Sequence, residues 1–297
     1  MNPARTAGLT ALALTAFAAN SVLCRLALAE AVIDPGTFTA LRLVAGAVTL
    51  GALVRSRPSA SRSSGRSWWP AVLLFLYAVP FSFAYVGLST GTGALLLFGT
   101  VQVTMILASL RREGRPRPGQ WAGLAVAFGG LVYLLLPGVT APPVASAALM
   151  VVAGVAWGFY SLAGRGLPDP LAQTATNFGR TVPMAAILLL ATWSGDDLEL
   201  RGVVLAVISG ALASGVGYVI WYQALRGLTG IAAAVVQLAV PVIAAAGGTV
   251  LLAEPVTIRL AVASALVLGG IGLALKAGVT PSGVLVPGRR SGRHRPL

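Results

Sequence analysis

Apolar residues run along this chain in long blocks, separated by short polar connections, from residue 8 to residue 276. The blocks are too long and too uniformly apolar for the one-sided helices or alternating strands of a water-soluble domain. A bilayer core about 30 Å thick is crossed by roughly 20 helical residues, and the blocks match that length. They predict ten transmembrane helices near 8–29, 36–55, 69–88, 91–110, 119–136, 146–164, 171–193, 202–223, 230–252 and 257–276. The connections carry helix-breaking chemistry at Asp34-Pro35-Gly36, Pro116-Arg117-Pro118, Pro142-Pro143, Asp169-Pro170 and Glu254-Pro255. Because the first block continues directly into further spans, it reads as a helix and not as a removed signal peptide.

Composition sharpens this pattern. Charged residues make up 10% of the 297 and hydrophobic ones 57%, against about 25% charged in a soluble domain. The single cysteine, Cys24, forms no intramolecular disulfide, and the single histidine, His294, lies near the C-terminus. Metal sites built on histidine, His-dependent triads and intramembrane Ser-His proteases are thereby excluded. No metal and no cofactor is expected.

The net charge of +13 is explained by its distribution. With the N-terminus in the cytoplasm, sixteen basic residues fall in inside segments, among them Arg55, Arg57, Arg111, Arg112 and Arg226. Only Arg201 and Arg259 fall outside. The positive-inside rule then puts both termini in the cytoplasm, and basic loops beside anionic headgroups make a nucleic-acid partner unnecessary. The expected surroundings are the lipid bilayer of a bacterial-type inner membrane and a small-molecule substrate, with a monomer sufficient.

The chain also repeats. Tyr85-Val86-Gly87-Leu88 precedes Thr92-Gly93 as Tyr222-Gln223-Ala224-Leu225 precedes Thr229-Gly230, an offset of 137. Gly129-Gly130 and Gly269-Gly270 are 140 apart, and Arg42 and Arg180 are 138 apart. The expected organisation is 1–140 as a first five-helix repeat, 141–278 as a second, and 279–297 as a disordered basic tail. Five is odd, so the second repeat enters the membrane from the opposite side. Inverted repeats of this kind build alternating-access transporters with a midplane site between the halves.

These features resemble a known family. Ten helices in two inverted five-helix repeats, Trp157-Gly158 opening the second half and a Gly-Gly near each repeat end look like the EamA type of the drug/metabolite transporter superfamily. Length and aromatic cavity candidates are similar to bacterial amino-acid exporters of the YddG type. The first half departs from the pattern with Ala18-Ala19-Asn20-Ser21 where a Trp-Gly opening is usual.

Candidate cavity residues follow from polarity at membrane depth. Tyr77, Phe81 and Tyr85 are four apart and share a helix face, as do their offset partners Ser214, Tyr218 and Tyr222. Aromatic faces and hydroxyls without fixed charge suit a zwitterionic or aromatic substrate; Tyr85 and Tyr222 also fit an interfacial belt. Asn20, Gln102, Asn177 and Gln237 carry amides that lipid cannot satisfy, so they bond either substrate or neighbouring helices. Trp157 and Tyr160 join them.

Arg25, Arg42 and Arg180 are the three cations inside spans. They either attract a substrate carboxylate or snorkel and bond carbonyls at helix ends; Arg25 and Arg42 are expected toward the outer leaflet. Pro80, Pro183 and Pro241 are candidate hinges. Without an intramembrane Asp or Glu as a proton relay, facilitated transport is expected. The function expected is export of small metabolites, amino acids (aromatic and neutral) first. A drug, nucleoside or nucleotide-sugar carrier of the same superfamily is the nearest alternative, and a membrane enzyme acting on lipid or peptide the alternative of another class.

Overall fold

The computed structural model describes residues 3–57, 67–113, 118–138, 141–164, 168–193, 198–228, 233 and 236–278. The tail 279–297 and part of the basic loops lie outside these residues. Ten helices are present among them: α1 Pro3–Ala29, α2 Pro35–Arg55, α3 Trp69–Gly87, α4 Thr90–Glu113, α5 Pro118–Leu135, α6 Val144–Ala163, α7 Pro170–Thr192, α8 Leu200–Leu225, α9 Ala239–Leu252 and α10 Ile258–Gly278. The described residues contain no strand. Two of the Asp-Pro breakers turn out to be helix N-caps. Asp34 Oδ1 accepts the Thr37 N–H at 2.8 Å and Asp169 Oδ1 the Ala172 N–H at 3.1 Å, each with proline following as the first helical residue.

Eight of the helices are long and apolar enough to cross a membrane. Leu190, Val250 and Ile258 are each about 80% exposed or more, apolar surface that a bilayer covers. The protein is therefore a multi-pass membrane protein. The two helices outside the eight depart from expectation for different reasons. In the case of α9, only 14 residues run from Ala239 to Leu252, and much of the predicted 230–238 stretch lies outside the described residues. By contrast α7 has 23 residues but spends apolarity on Gln173, Thr174, Asn177 and Thr181, all of which are buried. It nonetheless runs antiparallel along α2. Asp169 at its start pairs with Arg57 just past the end of α2, and Thr192 at its end stands against Gly36, leaving no room there for a side chain.

Helix packing brings α2 onto α7, α5 onto α10, α3 and α4 onto α6, and α1 and α4 onto α9, while α8 lies against both α1 and α2. Small residues permit the closest of these approaches. A Cβ on Gly154 or Gly158 of α6 would come within 2.7 or 2.9 Å of Thr100 or Thr104 on α4. Within α8, Ser209–Val216 is wound as a π-helix, a local widening that recurs at functional positions. Its Gly210 is pressed against the backbone carbonyl of Arg42 on α2, which again leaves no space for a Cβ.

Candidate functional site

Where α1, α3, α4, α6 and α8 converge they enclose a cavity of about 20 Å³, room for a water and not for a metabolite. Asn20 and Ser21 reach it from α1, Tyr77 and Phe81 from α3, Trp157 from α6, and Ser214 and Tyr218 from the π-wound part of α8 and the turn after it. Both halves of the chain thus contribute to one wall.

Aromatic rings make up most of that wall. The Trp157 ring lies between Tyr77, at 4.6 Å, and Tyr218, at 5.3 Å and nearly parallel. The four-residue spacing of α3 continues the series through Phe81, 5.3 Å from Tyr77, to Tyr85, 4.9 Å from Phe81. Each such pair contributes about 0.5–1.5 kcal/mol beyond its buried area, so the closed arrangement is held by ring contacts that a ligand has to exchange.

A polar chain runs behind the rings. Ser209 Oγ donates to Asn20 Oδ1 at 2.6 Å, and Asn20 Nδ2 donates to Tyr77 Oη at 3.2 Å. Arg42 Nη2 donates to the same Tyr77 oxygen at 3.0 Å. The Arg42 guanidinium carbon lies 5.2 Å from the Tyr77 ring centroid and 4.8 Å from that of Phe81, within cation–π range. Arg42 is 2% exposed, and its Nε and Nη1 have no hydrogen-bond partner. The expectation that Arg42 lies near outer water, free to snorkel, is thus corrected. It sits two turns into α2, where its side chain lies against the Tyr77 and Phe81 rings and bonds the Tyr77 hydroxyl oxygen. A second chain, from Gln173 Nε2 to Asn177 Oδ1 at 3.0 Å and from Asn177 Nδ2 to Tyr160 Oη at 3.4 Å, joins α6 to α7.

Arg25 is placed differently. Its Nε pairs with Glu254 at 3.1 Å and its Nη1 donates to the carbonyls of Tyr85 and Val86 at 2.9 and 3.0 Å. Glu254 in turn accepts the Thr90 N–H at 2.7 Å. One ion pair thereby ties the end of α1, the α3–α4 turn and the α9–α10 connection together at one end of the bundle.

The remaining candidates lie away from the cavity. Tyr85 is fully buried, its hydroxyl donating to the Thr90 carbonyl at 3.4 Å, so it is no belt residue. The Tyr160 ring lies tilted beside Trp157 at 5.3 Å. Tyr222 is partly buried beyond Tyr218 on α8, and Gln102 is buried in α4. Gln237 donates to the Ala233 carbonyl of its own segment. Arg180 donates to the Ser67 carbonyl and lies 5.4 Å over the Trp68 ring. Pro80 and Pro183 are interior to α3 and α7. Pro241 stands in the first turn of α9, just after a break at Leu238, where its missing N–H has no intrahelical partner to lose.

Some contributors had no sequence signal. Phe17 and Phe98 line the cavity but read like any apolar residue of a span. Ser209 and Glu254 carried a weak one: a hydroxyl at depth, and a lone acid beside a helix-breaking proline.

The chain is similar to several known proteins. The EamA-like transporter family profile matches residues 145–276, the stretch from α6 to α10. An uncharacterized protein of Pseudomonas aeruginosa is 52% identical over 271 residues, spanning 91% of this chain and 94% of its own. An uncharacterized transporter of Archaeoglobus fulgidus is 30% identical over 202 residues, 66% of this chain and 71% of its own. A crystal structure with 22% identity covers 89% of this chain and 98% of its own at a TM-score of 0.63, a likeness of fold.

Proposed function

We propose that this chain, which belongs to the EamA-like transporter family of the drug/metabolite transporter superfamily, exports small metabolites across a bacterial-type inner membrane, amino acids first among them. It does so by alternating access around the cavity between α1, α3, α4, α6 and α8. The observation that carries this reading is the cavity itself. It combines an aromatic wall with a buried polar chain, and residues from both halves of the sequence form it.

Two features support ten crossings in two related halves. Exchanging α1–α5 for α6–α10 carries the principal packed pairs into one another: α3 on α6 becomes α8 on α1, α4 on α6 becomes α9 on α1, and α2 on α7 is its own image. Contacts at the helix ends also join segments that the charge pattern assigns to one side. Arg57 meets Asp169 on the inner side, while Arg25 meets Glu254 and Arg201 meets Glu30 on the outer side. On this layout the Arg25–Glu254 pair closes the outer mouth and has to open in each cycle. No described carboxylate lies in the cavity wall to relay a proton, so the substrate runs down its own gradient.

Counterflow tests the reading. Proteoliposomes loaded with unlabelled amino acids are expected to take up labelled aromatic and small neutral amino acids saturably, without a proton gradient. Accumulation that collapses with a proton gradient defeats the facilitated mechanism. Absence of counterflow with every amino acid, from folded protein, defeats the substrate class and turns attention to drugs and nucleosides.

A further inference from the structure

Arg42 is a buried cation with no described carboxylate beside it. The acids whose side chains the structure describes, Glu30, Asp34, Asp169, Glu199 and Glu254, all stand at helix ends, and Glu254 is engaged by Arg25 and Thr90. Taking a guanidinium out of water is costly; two aromatic faces and one phenol oxygen return part of that cost. The group's geometry shows what would return the rest. Tyr77 takes one N–H of Nη2. The other N–H of Nη2 shares an edge of the guanidinium with either Nε–H or Nη1–H, and neither of these has a partner. A two-pronged edge is thus unpaired, the fork that matches the two oxygens of a carboxylate. Tyr77 Oη, already accepting from Asn20 and Arg42, offers its own proton as a further donor at the same point.

The same surroundings are wrong for an ammonium group. No described carboxylate lines the cavity, and Arg42 already occupies the neighbourhood of Tyr77 and Phe81 where a second cation would sit, so the two would repel. We propose that the cavity selects its ligand by a carboxylate seated on Arg42 and Tyr77 and has no requirement for an amine. Its chemical class is then the monocarboxylates with an apolar or aromatic body, with 2-oxo and 2-hydroxy acids on the same footing as amino acids. This rests on the cavity being the substrate site and narrows what that site takes. Arg42 lies behind Tyr77 and Phe81, so seating the carboxylate requires those rings to turn aside. Pro80, between them on α3, removes the backbone hydrogen bond that would otherwise stiffen the helix there.

Three probes with one ring separate the head groups: phenylalanine, 3-phenylpropionate and phenethylamine. Full-length protein in nanodiscs is expected to bind labelled 3-phenylpropionate, with phenylalanine competing within a few-fold and phenethylamine not competing. Arg42→Gln weakens 3-phenylpropionate binding about 10- to 100-fold, the range for losing hydrogen bonds to a charged group. Tyr77→Phe keeps the ring and the cation, weakens binding less, and gives an independent reading where the Arg42 variant does not insert. Phenethylamine competing as well as 3-phenylpropionate, unchanged binding in folded Arg42→Gln, or no binding of the carboxylate probe overturns the proposal. Amino-acid counterflow that persists in any of these cases leaves the exporter standing. Carboxylate binding that depends on Arg42, without amino-acid counterflow, defeats amino acids as the exported class and keeps the anion site.

Discussion

Arg42 and Arg180 stand 138 residues apart, each in the second helix of its half, and they end in opposite settings. Both arginines reach α3. Arg42 meets its middle, under the Tyr77 and Phe81 rings and closed off from water; Arg180 meets its start, over Trp68 and bonded to the Ser67 carbonyl. The difference lies in the neighbours. Around Arg42, α2 is pinched between Phe178 on α7, which crowds Gly46, and Gly210 on α8, whereas beside Arg180 a Cβ on Gly179 would meet nothing within 4 Å. A similar position along its helix does not give a residue similar surroundings. The partner helix decides whether it becomes part of the site or an anchor at the rim.

The largest contrast is expected from removing each cation in turn. Replacing buried ionic groups with packed apolar ones is commonly neutral or stabilising, by about 1–4 kcal/mol. Arg42→Met is therefore expected to melt at or above the temperature of the parent protein while transport falls about 10- to 100-fold. The matching Arg180→Met keeps transport within about twofold, as for a partly exposed charge away from the cavity. Thermal denaturation and counterflow on the same preparations check both halves of the contrast. A clear loss of stability in Arg42→Met would show that the guanidinium is structural mortar after all.

Asn20 and Trp157 give the next comparison: they stand 137 apart in the sequence and line the same cavity. Asn20 holds the polar chain together, and Asn20→Leu leaves the buried Ser209 hydroxyl without its acceptor and Tyr77 without one donor. A stability loss of about 1–3 kcal/mol follows from stranding such groups. Trp157→Phe retains a ring between Tyr77 and Tyr218 and is expected to cost less than about 1.5 kcal/mol, with its effect on substrate affinity rather than on folding. If the two variants behave alike, the polar and aromatic sides of the cavity are not specialised.

Next to the Arg25–Glu254 pair, Cys24 offers a native reporter: it is 0% exposed and precedes Arg25 in the chain. If the Arg25–Glu254 pair closes the outer mouth as proposed, Glu254→Ala removes about 1 kcal/mol of closure, which makes open states roughly fivefold more frequent. Maleimide labelling of Cys24 is expected to speed up by that factor. An unchanged labelling rate would mean that the carbonyls of Tyr85 and Val86 hold Arg25 without help from the acid.

Much of the fold was legible because a membrane imposes a length on every crossing and a cost on every polar group. Nine of the helices begin and end within a few residues of the apolar blocks, and Asn20, Tyr77, Trp157, Ser214 and Tyr218 stood out as polar or aromatic side chains at depth. Partners were not legible. Nothing in the sequence links Ser209 to Asn20 or Glu254 to Arg25, because residues 189 and 229 positions apart meet only once the helices have packed. The span pattern was weakest at α7, where polar residues facing protein dilute the apolar signal while the helix still runs the length of α2.

The smallest expected effect tests whether polar contacts at the two ends of the bundle are equivalent. Arg57 and Asp169 pair at 3.5 Å with side chains 44% and 27% exposed, against 20% and 14% for Arg25 and Glu254. In water the exposed pair gains little, since solvent screens the attraction and two side chains lose freedom. Asp169 has a second task that the pair does not need, which is capping α7 through the Ala172 N–H. Arg57→Ala is therefore expected to change stability by less than about 0.5 kcal/mol, while Asp169→Ala costs about 1 kcal/mol through the lost cap. If Arg57→Ala altered transport as much as Glu254→Ala, both ends would act as latches, and the asymmetry drawn from burial alone would fail.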